Sequence, residues 1–184
     1  MAIHYVVNLS DAPPTAASDV AGAIARLSQA TGITFVDDGA TTEMPSQERA
    51  AVQSSRYGPG WAPLLIAWTR PAESDYLPGG NVVGEGGNVW TTGPGGADVY
   101  VTGQVAINTD ATRALPAGFG PGTTVGLLLL HELGHAVGLA HVSDPNQVMY
   151  PDMVPRSSAD YGDGDRRGLT LVGRGSACVA EPSA

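Results

Sequence analysis

The first part of the chain alternates between strand and helix periodicity. Residues 3–9 and 33–36 are short runs rich in β-branched and aromatic side chains that end in polar or turn-forming residues, a pattern typical of strands. Between them, residues 16–30 carry apolar side chains at helical spacing and stop before Gly32, which predicts an amphipathic helix. Residues 64–68 form a continuous apolar run, as expected of a strand buried on both faces. This order predicts a mainly parallel sheet with right-handed crossovers.

The middle of the chain has a weaker pattern. Segment 41–60 is polar, with a candidate helical turn at 47–52, and segment 79–96 is rich in glycine. The glycines predict a loop with at most one short strand, for which 89–91 is the candidate. Two interpretations stay open: a surface excursion, or the edge of a cleft where glycines let a substrate backbone approach closely. Residues 100–108 alternate in polarity and predict the last strand.

The last third of the chain contains two predicted helices. Residues 125–137 are apolar on most sides, which favours a buried central helix capped by Thr123 or Thr124. Residues 165–172 predict a final helix that ends at Gly173. Three acids lie at its start: Asp160, Asp163 and Asp165. Acids there are more often caps or partners of the helix dipole than calcium ligands, so calcium is an unsupported alternative.

Length and charge limit the classes of function. A chain of 184 residues predicts one domain, residues 1–184. The net charge of −9 argues against nucleic acid and anionic membranes as partners, and we expect a monomer. Cys178 is the single cysteine, so it predicts no disulfide within the chain. The longest aliphatic run, 127–130, is too short to span a bilayer.

Three of the four histidines lie within one eleven-residue motif, at His131, His135 and His141. Residues i and i+4 of a helix share a face, so the first two imidazoles can point to one metal ion. Gly138 can adopt the positive φ that ends a helix and lets the chain return the third histidine. Three imidazoles leave one position of a tetrahedral Zn²⁺ open to water, whose pKa falls towards roughly 7. Glu132 would take the proton of that water, so we expect a catalytic zinc and not a closed structural one.

The motif His131-Glu-Leu-Gly-His-Ala-Val-Gly-Leu-Ala-His141, followed by Met149-Tyr-Pro151, resembles the metzincin clan of zinc endopeptidases. Within the clan it is most similar to the matrixins, particularly the stand-alone bacterial ones. Pro151 stands where astacins and serralysins usually carry a tyrosine ligand, which argues against those branches. Val142 departs from the serine that matrixins usually have after the third histidine.

The resemblance implies an α+β, metzincin-like fold. This fold has a twisted, mixed but mainly parallel sheet with two helices, an antiparallel edge strand above the zinc, the active-site helix, a Met-turn and a small C-terminal helical part. An upper part, residues 1–141, and a lower part, residues 142–175, would enclose a cleft with the zinc on its floor. Residues 176–184 would be a tail.

The resemblance also implies an activity: hydrolysis of peptide bonds in proteins or peptides by a zinc-activated water, with Glu132 as general base. Met149 would lie beneath the three imidazoles. Tyr150, Pro151 and Met153 would line the pocket for the side chain just after the scissile bond, so Leu, Met or Phe should be favoured there. The family is exported, so we expect a secreted protein in mature or trimmed form, since residues 1–7 are unlike a signal peptide.

Two alternatives accompany these predictions. The fold could serve as a non-catalytic zinc-binding or peptide-capture module, although Glu132 has no purpose in such a module. A metzincin with a narrow self-processing role is the second. We expect one zinc only, because His4 on the first strand has no nearby Asp or His in sequence and is predicted to be an ordinary strand histidine.

Overall fold

A computed structural model describes residues 2–93, 96 and 98–174 of the chain. Its strands are β1 Ala2–Asn8, β2 Thr34–Ala40, β3 Leu64–Thr69, β4 Gly84–Thr92 and β5 Asp98–Asn108. Its helices are α1 Ala16–Thr31, α2 Ser54–Tyr57, α3 Thr109–Thr112, α4 Val125–Ala136 and α5 Asp163–Arg174. Cys178 and the predicted tail at 176–184 lie outside the described residues.

One five-stranded sheet organises these elements, in the order β2-β1-β3-β5-β4. The first three pairings are parallel, and β4 lies antiparallel to β5 at the edge of the sheet. The predicted mixed, mainly parallel sheet of an α+β fold is therefore confirmed, including its antiparallel edge strand. None of the described helices is long and apolar enough to cross a membrane.

The core lies between the sheet and the helices α1, α4 and α5. Strand β3 is buried along its whole length, and its side chains alternate between two hydrophobic clusters. Leu64, Ile66 and Trp68 face the helices, whereas Leu65 and Ala67 face the other side of the sheet. This explains the continuous apolar run, because both faces of a central strand must exclude water.

Helix α4 forms as its sequence predicts. The Thr124 side chain accepts a hydrogen bond from the Leu127 N–H at 3.1 Å and so caps the first turn. The four leucines at 127–130 are all at most 2% exposed, and each such burial stabilises the fold by about 1.5–3 kcal/mol. The helix ends where Gly138 adopts a φ of 105°, as predicted.

The prediction for the glycine-rich stretch 79–96 was wrong in extent. Strand β4 occupies nine residues of it, and the candidate strand at 89–91 is only the end of β4. A Cβ atom on Gly86 would overlap the backbone carbonyl of Glu132, and one on Gly84 would lie 2.9 Å from Glu132 Oε1. The glycines therefore let an edge strand lie directly against helix α4, a contact between elements that local patterns do not show.

The helical turn predicted at 47–52 was also misplaced, since the short helix in this region is α2. Hydrogen bonds and an ion pair of buried side chains instead attach residues 41–63 to the sheet. Arg49 is buried and pairs with Glu43 at 2.9 Å, and its other donors reach Thr102, Gly103 O and Pro63 O. This buried pair is satisfied by hydrogen bonds, as a buried charge requires. It fixes the polar segment to the outer face of the sheet.

Candidate metal centre

The three histidines of the motif converge on one point. The Nε2 atoms of His131 and His135 are 3.1 Å apart, those of His131 and His141 are 3.2 Å apart, and those of His135 and His141 are 3.0 Å apart. Nitrogen ligands of a tetrahedral zinc at about 2.0–2.1 Å would be separated by about 3.3 Å. The group therefore fits one zinc ion. Among the described residues, it is the one set of three or more His, Cys, Asp or Glu side chains whose ligand atoms come this close together.

Backbone carbonyls orient two of the three imidazoles. His131 Nδ1 lies 2.7 Å from Val148 O, and His135 Nδ1 lies 2.9 Å from Leu139 O. When each Nδ1–H donates to its carbonyl, each Nε2 keeps a free lone pair directed at the metal position. Burial lowers the pKa of His131 to about 4 and also lowers that of His135. Both rings are thus neutral at pH 7, which is the form that binds a metal.

Glu132 lies beside the histidines in a buried position, with 5% of its surface exposed. Burial, and to a smaller extent the negative charge of Glu85, raise its pKa to about 8, and the Gly86 N–H opposes the rise. A bound dication would lower this pKa again, because an opposite charge favours the ionised carboxylate. The helix thus carries, next to His131 in sequence, one buried carboxyl whose proton affinity depends on the charges around it.

The turn predicted to follow the third histidine lies under the active-site helix. Met149 is 1% exposed, and its sulfur packs against Gly134, between the first two histidines of the motif. The Val142 N–H donates to Met149 O at 3.0 Å, which ties the chain after His141 to this turn. The thioether thus lies against the helix between the first two histidines of the motif, and its role beneath the imidazoles stays a prediction.

Sequence reasoning assigned Asp165 to capping and missed its second contact. It is buried in the first turn of α5, and Oδ2 accepts from the Gly162 N–H at 2.9 Å, as a cap does. The same carboxylate accepts from Val148 N–H at 2.6 Å and from Met149 N–H at 3.3 Å. Since Val148 O orients His131, Asp165 supports a metal-ligating imidazole through the turn backbone. Its position at the start of a predicted helix signalled the cap, but no local signal indicated the contact with the turn at Met149.

A family model described as matrixin matches residues 60–171, which is more than half of the chain and includes the three histidines, Glu132 and Met149. The chain belongs to the matrixin family. Matrilysin of Felis catus is 32% identical over 99 residues, which are 53% of this chain and 35% of that protein. Matrilysin of Homo sapiens is 31% identical over 118 residues, which are 61% of this chain and 36% of that protein.

This matrixin chain therefore aligns with about a third of the length of the curated relatives named here. Among solved structures, the crystal structure of archaemetzincin from Methanopyrus kandleri covers 93% of this chain and 94% of that chain, with a TM-score of 0.54 and 19% identity. At that identity the likeness shows the fold alone, and the fold is of the metzincin type.

The structure describes all three residues of the substrate pocket that the matrixin resemblance predicts. Tyr150 is partly buried, Pro151 is exposed, and Met153 is partly buried and packs against the hydrophobic core. Met153 O also lies 3.5 Å from the Thr123 hydroxyl, just before the active-site helix. These residues come soon after His141 in the sequence. Their role in binding substrate stays a prediction.

His4 lies far from this matrixin centre in sequence and has a partner that sequence reasoning missed. Its Nδ1 is 2.8 Å from Asp38 Oδ1 on β2, the strand that pairs with β1. Both side chains are exposed, and no third ligand of the described residues joins them. An exposed pair of this kind stabilises a fold by no more than about 1 kcal/mol.

Proposed function

We propose that this chain is a zinc-dependent endopeptidase that hydrolyses peptide bonds in proteins or peptides. The observation that carries the proposal is the joint geometry of the three Nε2 atoms and the adjacent buried carboxyl of Glu132. A structural zinc would need a fourth protein ligand, and the described residues bring only three together.

The chain's own residues suit acid–base chemistry. Zinc, when bound, would polarise the scissile carbonyl and lower the pKa of an attacking water. Glu132 would remove the proton of that water and deliver it to the nitrogen of the leaving amine. Because it lies against β4, its carboxyl has little freedom to turn away from the substrate. Gly86 supports this orientation with its N–H.

Strand β4 is the element best placed to hold a peptide. It is the last strand of the sheet, and within the described residues its only strand partner is β5. An extended peptide could add to this edge by backbone hydrogen bonds, with side chains directed alternately to the two faces. We propose that the segment containing Tyr150, Pro151 and Met153 lines the side after the scissile bond, where Leu, Met or Phe would be favoured.

A non-catalytic zinc-binding module is the alternative function. It would use the same three histidines, but a buried carboxyl beside them would then destabilise the fold without a benefit. Secretion and a monomeric state accompany the proposal as predictions, because they come from the resemblance and the charge.

Casein hydrolysis by the zinc-loaded chain tests the proposal. Activity should disappear with a zinc chelator and return on adding zinc, with about one metal ion bound per chain. His4→Ala is the matched control for histidine loss, and it should leave activity and metal content unchanged. Binding of zinc without hydrolysis of casein or of a proteome-derived peptide library would favour the non-catalytic alternative.

A further inference from the structure

Glu85 lies on the edge strand at the level of the metal centre but faces away from it. Its neighbours Gly84 and Gly86 both face Glu132, so the alternation of a strand directs Glu85 to the opposite face of β4. Gly87 shares that face. The hydroxyl of Tyr76 lies over Gly87, 2.6 Å from where a Cβ atom would be. The outer side of the strand edge therefore carries a carboxylate and a phenol near each other.

Tyr76 is held in place by its own loop. The Ser74 hydroxyl donates to Pro45 O at 2.7 Å, and it accepts from the Tyr76 N–H at 3.3 Å. Within the described part of the chain, the Tyr76 hydroxyl has no hydrogen-bond partner. A rigid backbone and a free hydroxyl leave this side chain able to contact a ligand with little loss of conformational entropy.

Glu85 has one titratable cation within electrostatic reach, because the charge of a protonated His141 favours its ionised carboxylate. It makes no ion pair in the described residues, where the paired arginines contact other acids: Arg49, Arg70, Arg113 and Arg166. Arg49 is the cation whose charge reaches Tyr76, but Glu43 neutralises it through two hydrogen bonds. The negative charge of Glu85 acts on both Tyr76 and Glu132, so it lies within electrostatic reach of the proposed cleft.

We propose that Glu85 and Tyr76 select substrates with an arginine or lysine side chain near the scissile bond. The inference rests on the proposed peptidase function and names a substrate class for it. A carboxylate offers two acceptors to a guanidinium or ammonium group, and an aromatic ring beside it adds a cation–π contact. A peptide added to β4 would direct alternate side chains to this face. The net charge of −9 would also draw basic polypeptides to the chain.

Matched peptides provide the test. A peptide found by library cleavage is made with arginine at each position in turn, and with citrulline at the same position. Citrulline keeps the length and most donors of arginine but has no charge. At one position close to the cut, the zinc-loaded protein should cleave the arginine peptide with a kcat/KM about tenfold higher, as a charge-assisted hydrogen bond predicts.

Variants assign that preference to the two residues. Glu85→Gln should bring the arginine-to-citrulline ratio close to unity while cleavage of the citrulline peptide persists, and Tyr76→Phe should reduce the ratio a few-fold. Glu48→Gln is the matched control: it removes the same charge from an exposed side chain and should leave the ratio unchanged. A ratio near unity in the parent protein, or one that survives Glu85→Gln in a protein with parental melting temperature, would overturn the proposal.

Failure of the proposed peptidase function can be distinguished from failure of the proposed selectivity. If no library peptide is cleaved, the proposed function fails, and an extended peptide with one central arginine is compared with its citrulline form for binding to the zinc-loaded protein by fluorescence anisotropy. Tighter binding of the arginine peptide that is lost in Glu85→Gln would support the selectivity on a non-catalytic surface. Equal binding of the two peptides would reject it.

Discussion

Glu132 illustrates how a residue's neighbours in space determine its chemistry. The motif places it beside the histidines, but its pKa of about 8 is a result of burial and of Glu85, which comes from a distant strand. The motif predicts which residue would be the proton acceptor. It could not predict the acceptor's proton affinity, because that depends on which carboxylate the edge strand brings near.

This shift predicts how the stability of the metal-free protein depends on pH. The folded pKa is raised from 4.5 to about 8, so Glu132 contributes stability below pH 4.5 that is lost as the pH rises through 8. Glu132→Gln stays neutral and avoids this loss. In chelator, the variant's advantage in unfolding free energy should grow from pH 4.5 to 8, by up to a few kcal/mol. Urea unfolding at a series of pH values measures it.

The lowered pKa of His131 has the opposite effect on stability. Because the unfolded chain binds this proton more readily than the folded one, stability is lost as the pH falls below 6.5. Both proteins contain His131, so its contribution cancels in the comparison. A difference between variant and parent that is the same at every pH would show that Glu132 is not shifted as described.

Asp165 gives a second prediction for a single side chain. Asp165→Ala would leave three backbone N–H groups without their buried acceptor, at Val148, Met149 and Gly162. We expect a loss of roughly 3 kcal/mol in unfolding free energy and weaker zinc binding, because the turn that orients His131 loosens. Asp163→Ala is the control on the same helix and should change little, because its side chain is exposed. Unchanged zinc affinity in Asp165→Ala would separate the turn from the metal centre.

At the scale of elements, the contact between β4 and α4 is what the sequence concealed. Period and capping predicted α1 and α4 nearly to the residue, because a long apolar pattern and a Thr cap are local signals. Glycine in β4 is ambiguous, since the same composition fits a loop and a strand that must lie close to a helix. Only the tertiary contact with Glu132 distinguishes them.

A glycine-to-alanine substitution in β4 tests the contact between β4 and α4. Gly86→Ala would place Cβ on the backbone carbonyl of Glu132, where no flexible side chain can move aside. We expect a loss of about 1–3 kcal/mol in stability and a fall in kcat as the strand shifts away from Glu132. Gly79→Ala, which meets no atom within 4 Å, should stay within about 0.5 kcal/mol of the parent. Equal effects of the two substitutions would mean that β4 does not lie against α4.

At the scale of the whole molecule, the metal centre adds a metal-ligand link between parts of the chain that already share the core through Val148, Tyr161 and Leu169. His131 and His135 belong to the central helix, whereas His141 begins the segment that leads to Met149 and α5. The sequence predicted this closure because the three ligands are close in sequence. It did not predict the buried Arg49–Glu43 pair or Asp165, which act between segments far apart along the chain.

Metal removal should therefore destabilise the protein as a whole. Zinc that binds the folded state and not the unfolded one raises the melting temperature, and chelation reverses this. His141→Ala should lower the melting temperature in zinc and remove most of the effect of the chelator, while His4→Ala keeps it. A parent protein whose melting temperature is insensitive to chelator would show that the metal does not hold these parts together.

The most direct test of the central claim, that Glu132 is the proton acceptor at a three-histidine zinc, compares turnover and zinc content in Glu132→Gln. The variant should fold, bind one zinc per chain as the parent does, and hydrolyse peptide at a rate reduced by roughly 10²–10⁴-fold. Zinc-loaded Glu132→Gln with turnover within a few-fold of the parent would contradict the account, because the chemistry would then need no base at this position.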